Sequence, residues 1–229
     1  MNEEKSIRPI GYMESDYQDK FGIPRQSGLT GTLGKIRMEP EYSSPDCFRD
    51  LSGYSHIWLI WGFSENEGAD WHPTVRPPRL GGNRRVGVFA SRSPFRPNGL
   101  GLSVVGLVNI EEDEYGKTSL LVEGSDLMNG TPIYDIKPYM PASDSIPDAA
   151  GGYAAAARDR HLQIHCSPDL LSRVPENKRD PLMESLALDP RPRYQTDPDR
   201  IYGMRYAGLD IRFRVEGNDL TITDIVMCS

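Results

Sequence analysis

The sequence is poor in the residues that staple small proteins or hold metals, with three cysteines (Cys47, Cys166, Cys228) and four histidines in 229 residues. Three isolated cysteines cannot all pair and show no CxxC spacing, which argues against a disulfide framework and a zinc knuckle. The longest apolar run covers residues 57–63, far below the roughly 20 needed to span a bilayer. Met1-Asn2-Glu3-Glu4-Lys5 is charged and lacks the apolar core of a signal peptide. The expected setting is soluble and cytoplasmic, with no membrane and no metal.

Lysine and acidic side chains are missing from one window. Residues 71–110 hold six arginines (Arg76, Arg79, Arg84, Arg85, Arg92, Arg96) and no Lys, Asp or Glu. The window carries +6 against a net charge of −7, so the remaining 189 residues carry −13. An acidic chain with one arginine-only stretch suits a few specific phosphates or carboxylates, which a planar guanidinium matches, better than general polyanion binding. Taken alone, scattered surface charge explains these arginines equally well.

What the chain does have is turn chemistry: 22 Gly and 19 Pro, more than a helical bundle carries. Strands are expected over 7–13, 33–38, 56–63, 86–92, 100–110, 119–126 and 134–139. The run 56–63 is apolar at almost every position, which predicts cover on both faces. One short helix is expected after Ser44-Pro45-Asp46, with Ser44 as cap, Phe48 and Leu51 facing the core and Gly53 ending it. Seven strands without helical alternation predict a mainly β fold: an N-terminal β-barrel with one short helix, a two-sheet sandwich being the alternative. The barrel is expected over residues 1–145, a Pro/Ala/Gly-rich linker over 146–160, and a small α+β domain over 161–229. In that second domain a helix is expected to open at Asp180-Pro181, and a hairpin to turn at Glu216-Gly217-Asn218-Asp219.

The common catalytic and nucleotide signatures fail. Gly31-Thr32-Leu33-Gly34-Lys35 looks like the end of a P-loop, but Leu29 stands where its first glycine belongs and Ile36 where Ser or Thr would hold magnesium. Gly99-Leu100-Gly101-Leu102-Ser103-Val104 starts like a dinucleotide fingerprint and lacks the third glycine. His161 and His165 have no glutamate after the first histidine, and no Ser or Cys sits in a nucleophile elbow. Three segments remain: 21–28 (FGIPRQSG), 77–103 (with GVFASRSPFRPNGLGLS) and 126–139 (DLMNGTPIYDIKPY). Each combines Gly or Pro, which fix unusual backbone, with polar side chains able to read a ligand. Three such segments in one barrel-sized stretch predict convergent ligand loops.

With those segments, Gly53-Tyr54-Ser55-His56-Ile57-Trp58-Leu59 and Asp189-Pro190-Arg191-Pro192, the sequence resembles the TsaA-like (TrmO/YaeB) family of tRNA adenosine-37 N6-methyltransferases over nearly its whole length. The resemblance implies S-adenosylmethionine bound on a β-barrel, methylation of threonylcarbamoyladenosine next to the anticodon of a threonine tRNA, and a homodimer. It places Pro24, Arg25, Gln26, Ser64, Glu65, Arg92, Leu102, Asp126, Leu127, Met128 and Asn129 at the cofactor. Many relatives carry a His and a basic residue where this chain has Ser64 and Glu65, so side-chain contacts there differ from the family pattern. Arg84, Arg85, Arg96 and Arg191 form the expected RNA-facing set.

Methyl transfer from a sulfonium is an in-line displacement dominated by alignment, and a general base helps only within reach of the N6 proton. Asp135 and Tyr139 are the candidate bases, with Lys137 placed to hold a carboxylate on the modified base. A mutual Asp135–Lys137 ion pair bracing the strand is the competing account. Phe95 and Tyr139 are candidates to stack on an unpaired base. A non-catalytic nucleotide- or RNA-binding barrel is the alternative function.

Overall fold

Strands with an apolar residue at every second position have one face to bury, and six of them here close on themselves, which buries that face and leaves no free edge. The computed structural model describes residues 5–66, 68, 70–77, 84–155, 161–192, 195 and 197–228. Its first half runs β1 (Gly11–Glu14), β2 (Leu33–Met38), β3 (His56–Gly62), β4 (Thr74–Val75), β5 (Val86–Gly87), β6 (Leu100–Glu112), β7 (Thr118–Glu123) and β8 (Pro132–Pro138). The barrel order is β1-β2-β7-β6-β3-β8, with every neighbour antiparallel. Met13, Ile36, Ile57, Leu59, Val105, Leu120, Val122 and Ile133 fill it, each buried aliphatic side chain contributing about 1.5–3 kcal/mol. β6 serves two neighbours: Leu100 to Gly106 pair with β3 and Gly106 to Glu112 with β7, across a register shift at Leu107.

Two expectations for this half need correcting. The run 86–92 is not a barrel strand: β5 pairs with β4 in a separate ribbon, and a 3-10 turn follows over Val88–Ala90. Val88 is buried while its neighbours Gly87 and Phe89 are exposed, and one anchored residue calls for a turn rather than a strand. The short helix is three 3-10 turns, Pro40–Tyr42, Pro45–Phe48 and Leu51–Gly53. Asp50, at φ 65, interrupts the run, and the Ser44 side chain makes no capping bond. Phe48 and Leu51 still pack on the barrel core.

Both faces of β3 find cover. Ile57 and Leu59 point inward, while outside, Trp58 Nε1 donates to Asp144 Oδ2 (2.9 Å) and its ring packs on Tyr139. Asp144 closes the four-residue helix α1 (Pro141–Asp144).

Beyond α1 come α2 (Gly152–Ala155), β9 (Gln163–His165), α3 (Pro168–Leu171), α4 (Glu176–Ala187), β10 (Tyr202–Tyr206), β11 (Leu209–Glu216) and β12 (Asp219–Met227). The sheet order is β10-β11-β12-β9, with β9 parallel to β12. The β11–β12 turn is Gly217-Asn218, as expected. Helix α4 opens a turn earlier than expected: Pro175 sets its start and Pro181 lies inside it. Either proline fits a helix start, and the upstream one prevails, with Leu182 and Leu186 buried against the sheet.

The second core also takes residues from the first half. Tyr17 is fully buried in it and Phe21 and Ile23 pack against it. Tyr17 Oη bonds Thr32 Oγ1 (2.8 Å) and Ser185 Oγ (2.7 Å), Lys178 Nζ pairs with Asp16 Oδ2 (2.5 Å), and Gly31 N donates to Glu184 Oε2 (2.6 Å). The segment holding the first candidate ligand loop is therefore fixed by the C-terminal sheet and α4, as well as by the barrel.

Candidate active site

A cleft of about 700 Å³ opens at one end of the barrel, bordered by the loops after β1, β3, β5 and β7. Its apolar walls are Ile60 and Trp61 from β3, Leu102 from β6, Leu127, and Phe63, whose ring meets Trp61 edge-on at 4.4 Å. The Trp61 indole fits because Gly101 stands opposite it in register; a Cβ there would lie 2.3 Å from the ring. The failed dinucleotide fingerprint thus has a packing explanation.

Trp61 Nε1 donates to Ser103 Oγ (3.0 Å), and Ser103 Oγ donates to Asp126 Oδ1 (2.7 Å). Burial pushes the Asp126 carboxyl above its ordinary range, against the Ser103 bond, backbone amides and the charge of Arg92, which pull it down. Gly124, at φ +78, lets this loop touch the first one: a Cβ would lie 3.2 Å from the Gly28 backbone, whose N–H donates to Gly124 O (2.8 Å). From Arg92 a chain of contacts runs to the second unit. Arg92 Nη1 donates to Gln26 Oε1, Gln26 Nε2 to Arg25 O, and Arg25 Nη2 to Asp189 O (3.2 Å). Asp189, at φ 52, grips the Arg191 guanidinium with both carboxylate oxygens (2.8 and 3.0 Å).

Pro24, Arg25, Gln26, Ser64, Glu65, Arg92, Leu102, Asp126, Leu127 and Met128 all border this one cleft. Asn129 stands behind it: its N–H donates to Tyr17 O (2.8 Å) and its Oδ1 accepts from Ser15 N (3.1 Å), which braces the loop. The 3-10 turn holding Ser64 and Glu65 is tied by Lys20 Nζ, which donates to Glu65 O (3.4 Å) and Asn66 Oδ1 (3.2 Å). Sequence reasoning missed Lys20, Trp61 and Phe63 on the lining and Ser103 behind it. The signal for Trp61 was Gly101, visible in the sequence but meaningful only in register.

Asp135, Lys137 and Tyr139 lie outside the lining. Lys137 Nζ sits 3.1 Å from Asp135 Oδ2 on an exposed surface, an ion pair that braces the strand. Tyr139 packs on Trp58 (5.7 Å) and His56 (6.2 Å). Leu102, Ile60 and Asp135 are nonetheless successive partners across β6, β3 and β8. Direct partners share a face and neighbouring strands lie about 4.8 Å apart, so Asp135 is one strand beyond the Ile60 rim.

Of the expected RNA-facing set, Arg96 borders the cleft, while Arg84 and Arg85 are exposed, Arg85 Nη1 donating to Thr74 Oγ1 (3.1 Å). Arg191 faces inward; its side chain is 10% exposed and its fork is taken by Asp189. Arg79 and the rest of 78–83 lie outside the described residues. His165 pairs with Asp219 (2.6 Å), and among the described residues no group of three His, Cys, Asp or Glu is placed to hold a metal ion. Among them, too, no helix is long and apolar enough to cross a membrane.

A closed barrel with polar loops gathered around a nucleotide-sized cleft, and a second unit tied to one of those loops, defines a small-ligand-binding barrel protein. The sequence pattern of the tRNA-methyltransferase O N-terminal domain matches residues 12–145, and that of the TrmO C-terminal domain matches 159–227. The chain belongs to the tRNA-methyltransferase O family. It is 39% identical to the tRNA (adenine(37)-N6)-methyltransferase of Escherichia coli K12, over 90% of this chain and 91% of that one. With the enzyme of the same name from Eikenella corrodens it shares 46% identity, over 71% of this chain and 92% of the other. The crystal structure of TrmO from P. aeruginosa superposes with a TM-score of 0.79 at 31% identity, covering 100% and 99% of the two chains.

Proposed function

We propose that the protein transfers a methyl group from S-adenosylmethionine to N6 of threonylcarbamoyladenosine at position 37 of a threonine tRNA, in the cytoplasm and as a homodimer. The observation that carries this reading is the convergence of the three loops on one cleft lined in part by the half-buried Asp126 carboxylate. A desolvated carboxylate gains most from a cationic ligand, and S-adenosylmethionine carries positive charge on its sulfonium and its amine. Arg92 and Arg96 in the lining suit the ligand's carboxylate, and Trp61, Phe63 and Leu102 suit its purine. The donor set therefore fits the cofactor.

When bound, S-adenosylmethionine supplies an electrophilic methyl group on sulfur. This chain's residues have to align the acceptor and take its proton. A base splayed out over Leu102 and Ile60 brings N6 to the cleft rim and its substituent toward β8. Lys137 then binds the threonyl carboxylate in place of Asp135, and the Asp135 carboxylate so released accepts the N6 proton as the new N–C bond forms. Tyr139, held against Trp58, flanks the base.

Incubation with methyl-labelled cofactor and either unmodified or threonylcarbamoylated threonine tRNA tests the reading. Label is expected on the modified tRNA alone. RNA binding without label would favour the non-catalytic barrel, and label on unmodified tRNA would remove the threonylcarbamoyl substrate.

The dimer is supported by Val108 of β6 and Met140 just after β8, apolar side chains that remain exposed away from the cleft lining. The expected sedimentation result at micromolar concentration is a dimer; a monomer would refute this part of the reading.

A further inference from the structure

The side chain least explained by the fold and the cleft is Phe89. It is 80% exposed, whereas Val88 beside it is 2% exposed. The turn that presents it is well held: Ser91 N and Ser91 Oγ both donate to Val88 O (3.1 and 2.8 Å), and Val88 N donates to Pro73 O (3.0 Å). Burying Val88 alone would fix this turn, so the exposed ring adds nothing to its stability.

One exposed phenylalanine on a surface is ordinary, but this one has telling surroundings. Arg84 and Arg85 come just before it, immediately ahead of β5, and Ser91 and Arg92 just after it already border the cleft. Three residues span at most about 10 Å, so the Phe89 backbone lies within that distance of the cleft-lining Arg92. No acidic residue occurs anywhere in 71–110, while the rest of the chain is strongly acidic.

We infer that Phe89 is a stacking platform for an unpaired base of the RNA substrate next to the target base, with Arg84 and Arg85 holding the adjoining phosphates. Aromatic rings set in a basic surface take single strands this way, since every base has a π-face and every nucleotide a phosphate. The bases of an anticodon loop are already unpaired, so the platform receives one without opening a helix. The inference rests on the RNA-methyltransferase reading and names the surface by which that substrate is held.

The probe is an anticodon stem-loop of threonine tRNA carrying the natural loop sequence, bound to the full chain. Phe89→Ala is expected to weaken binding by roughly 5- to 150-fold, the range for loss of one stacked base. Cofactor affinity and Tm should stay at wild-type values. Phe89→Trp should restore binding, and Phe89→Leu, apolar but without a π-face, should not. The logarithmic salt slope separates the two kinds of contact: Phe89→Ala should leave it unchanged, whereas Arg84→Glu with Arg85→Glu should flatten it by about 0.7 per lost phosphate contact. If Phe89→Leu or Phe89→Ala binds like wild type, the platform is refuted while the RNA reading stands. A shift of Phe89→Ala from dimer to monomer in sedimentation would also overturn it, assigning the ring to an interface between copies. Failure of the wild-type chain to bind or methylate any tRNA would overturn both readings together.

Discussion

Asp126→Asn is expected to weaken S-adenosylmethionine binding by about 10- to 150-fold, the range for losing a hydrogen bond to a charged group, while raising Tm. The two effects share one cause. Burial lifts the Asp126 carboxyl above its ordinary range, so its ionised form costs more in the folded protein than in the unfolded chain. A carboxyl raised on folding contributes stability that is fully present below its unfolded pKa and is lost as pH rises through the folded one. At neutral pH the wild-type protein therefore carries the cost of a desolvated charge. Asparagine removes that charge and keeps an acceptor for Ser103 Oγ, so the variant should melt higher, on a scale of about 2–4 °C per kcal/mol for a chain this size. The cofactor's cationic groups need the ionised form, so wild-type affinity should fall as pH drops through a value above the usual carboxylate range. In Asp126→Asn that pH dependence should vanish. Calorimetric titration across pH checks the binding and thermal melts check the stability. Unchanged affinity would displace Asp126 from the cofactor site, and a lower Tm would show the charge to be structurally required.

The barrel was largely legible because its signals are local. Strands β2 and β3 follow from alternation and apolar runs of five to seven residues, and the β11–β12 turn from its own Gly-Asn pair. The stretch 86–92 misled because alternating Val86 and Val88 read as a strand whether or not a partner exists, and here the next residue, Phe89, faces solvent. The cleft loops were legible for the same local reason, the coincidence of Gly or Pro with polar side chains. The Trp61–Ser103–Asp126 chain was not, since it depends on the register of β3 against β6, with Trp61 and Ser103 separated by 42 positions. Asn129, which the resemblance places at the cofactor, accepts from Ser15 N through its Oδ1, a partner 114 positions away that no local pattern signals. The Arg191 pairing has a local clue: Asp189 lies two residues upstream across Pro190, close enough to occupy its guanidinium.

Arg191→Ala separates the structural role of that pair from an RNA-binding one, and its effect should be large. The two side chains are 10% and 18% exposed, so removing the guanidinium strands a largely buried carboxylate. Breaking such a pair costs about 3–5 kcal/mol, which corresponds to a Tm lower by roughly 6–20 °C. The consequences should reach the cleft. Asp189 is held at φ 52 with its carbonyl accepting from Arg25, and Arg25 continues through Gln26 to Arg92. Without Arg191 the turn at Asp189 loses its brace, Arg25 loses a fixed acceptor, and cofactor affinity should fall several-fold below the melting range. Arg191→Lys should recover only part of the stability, because an ammonium cannot match both carboxylate oxygens at once. A direct phosphate contact predicts the opposite pattern: normal Tm, normal cofactor affinity, and an RNA salt slope flatter by about 0.7. That second pattern would return Arg191 to the RNA-facing set and end its assignment as the brace between the C-terminal unit and the loop at Arg25.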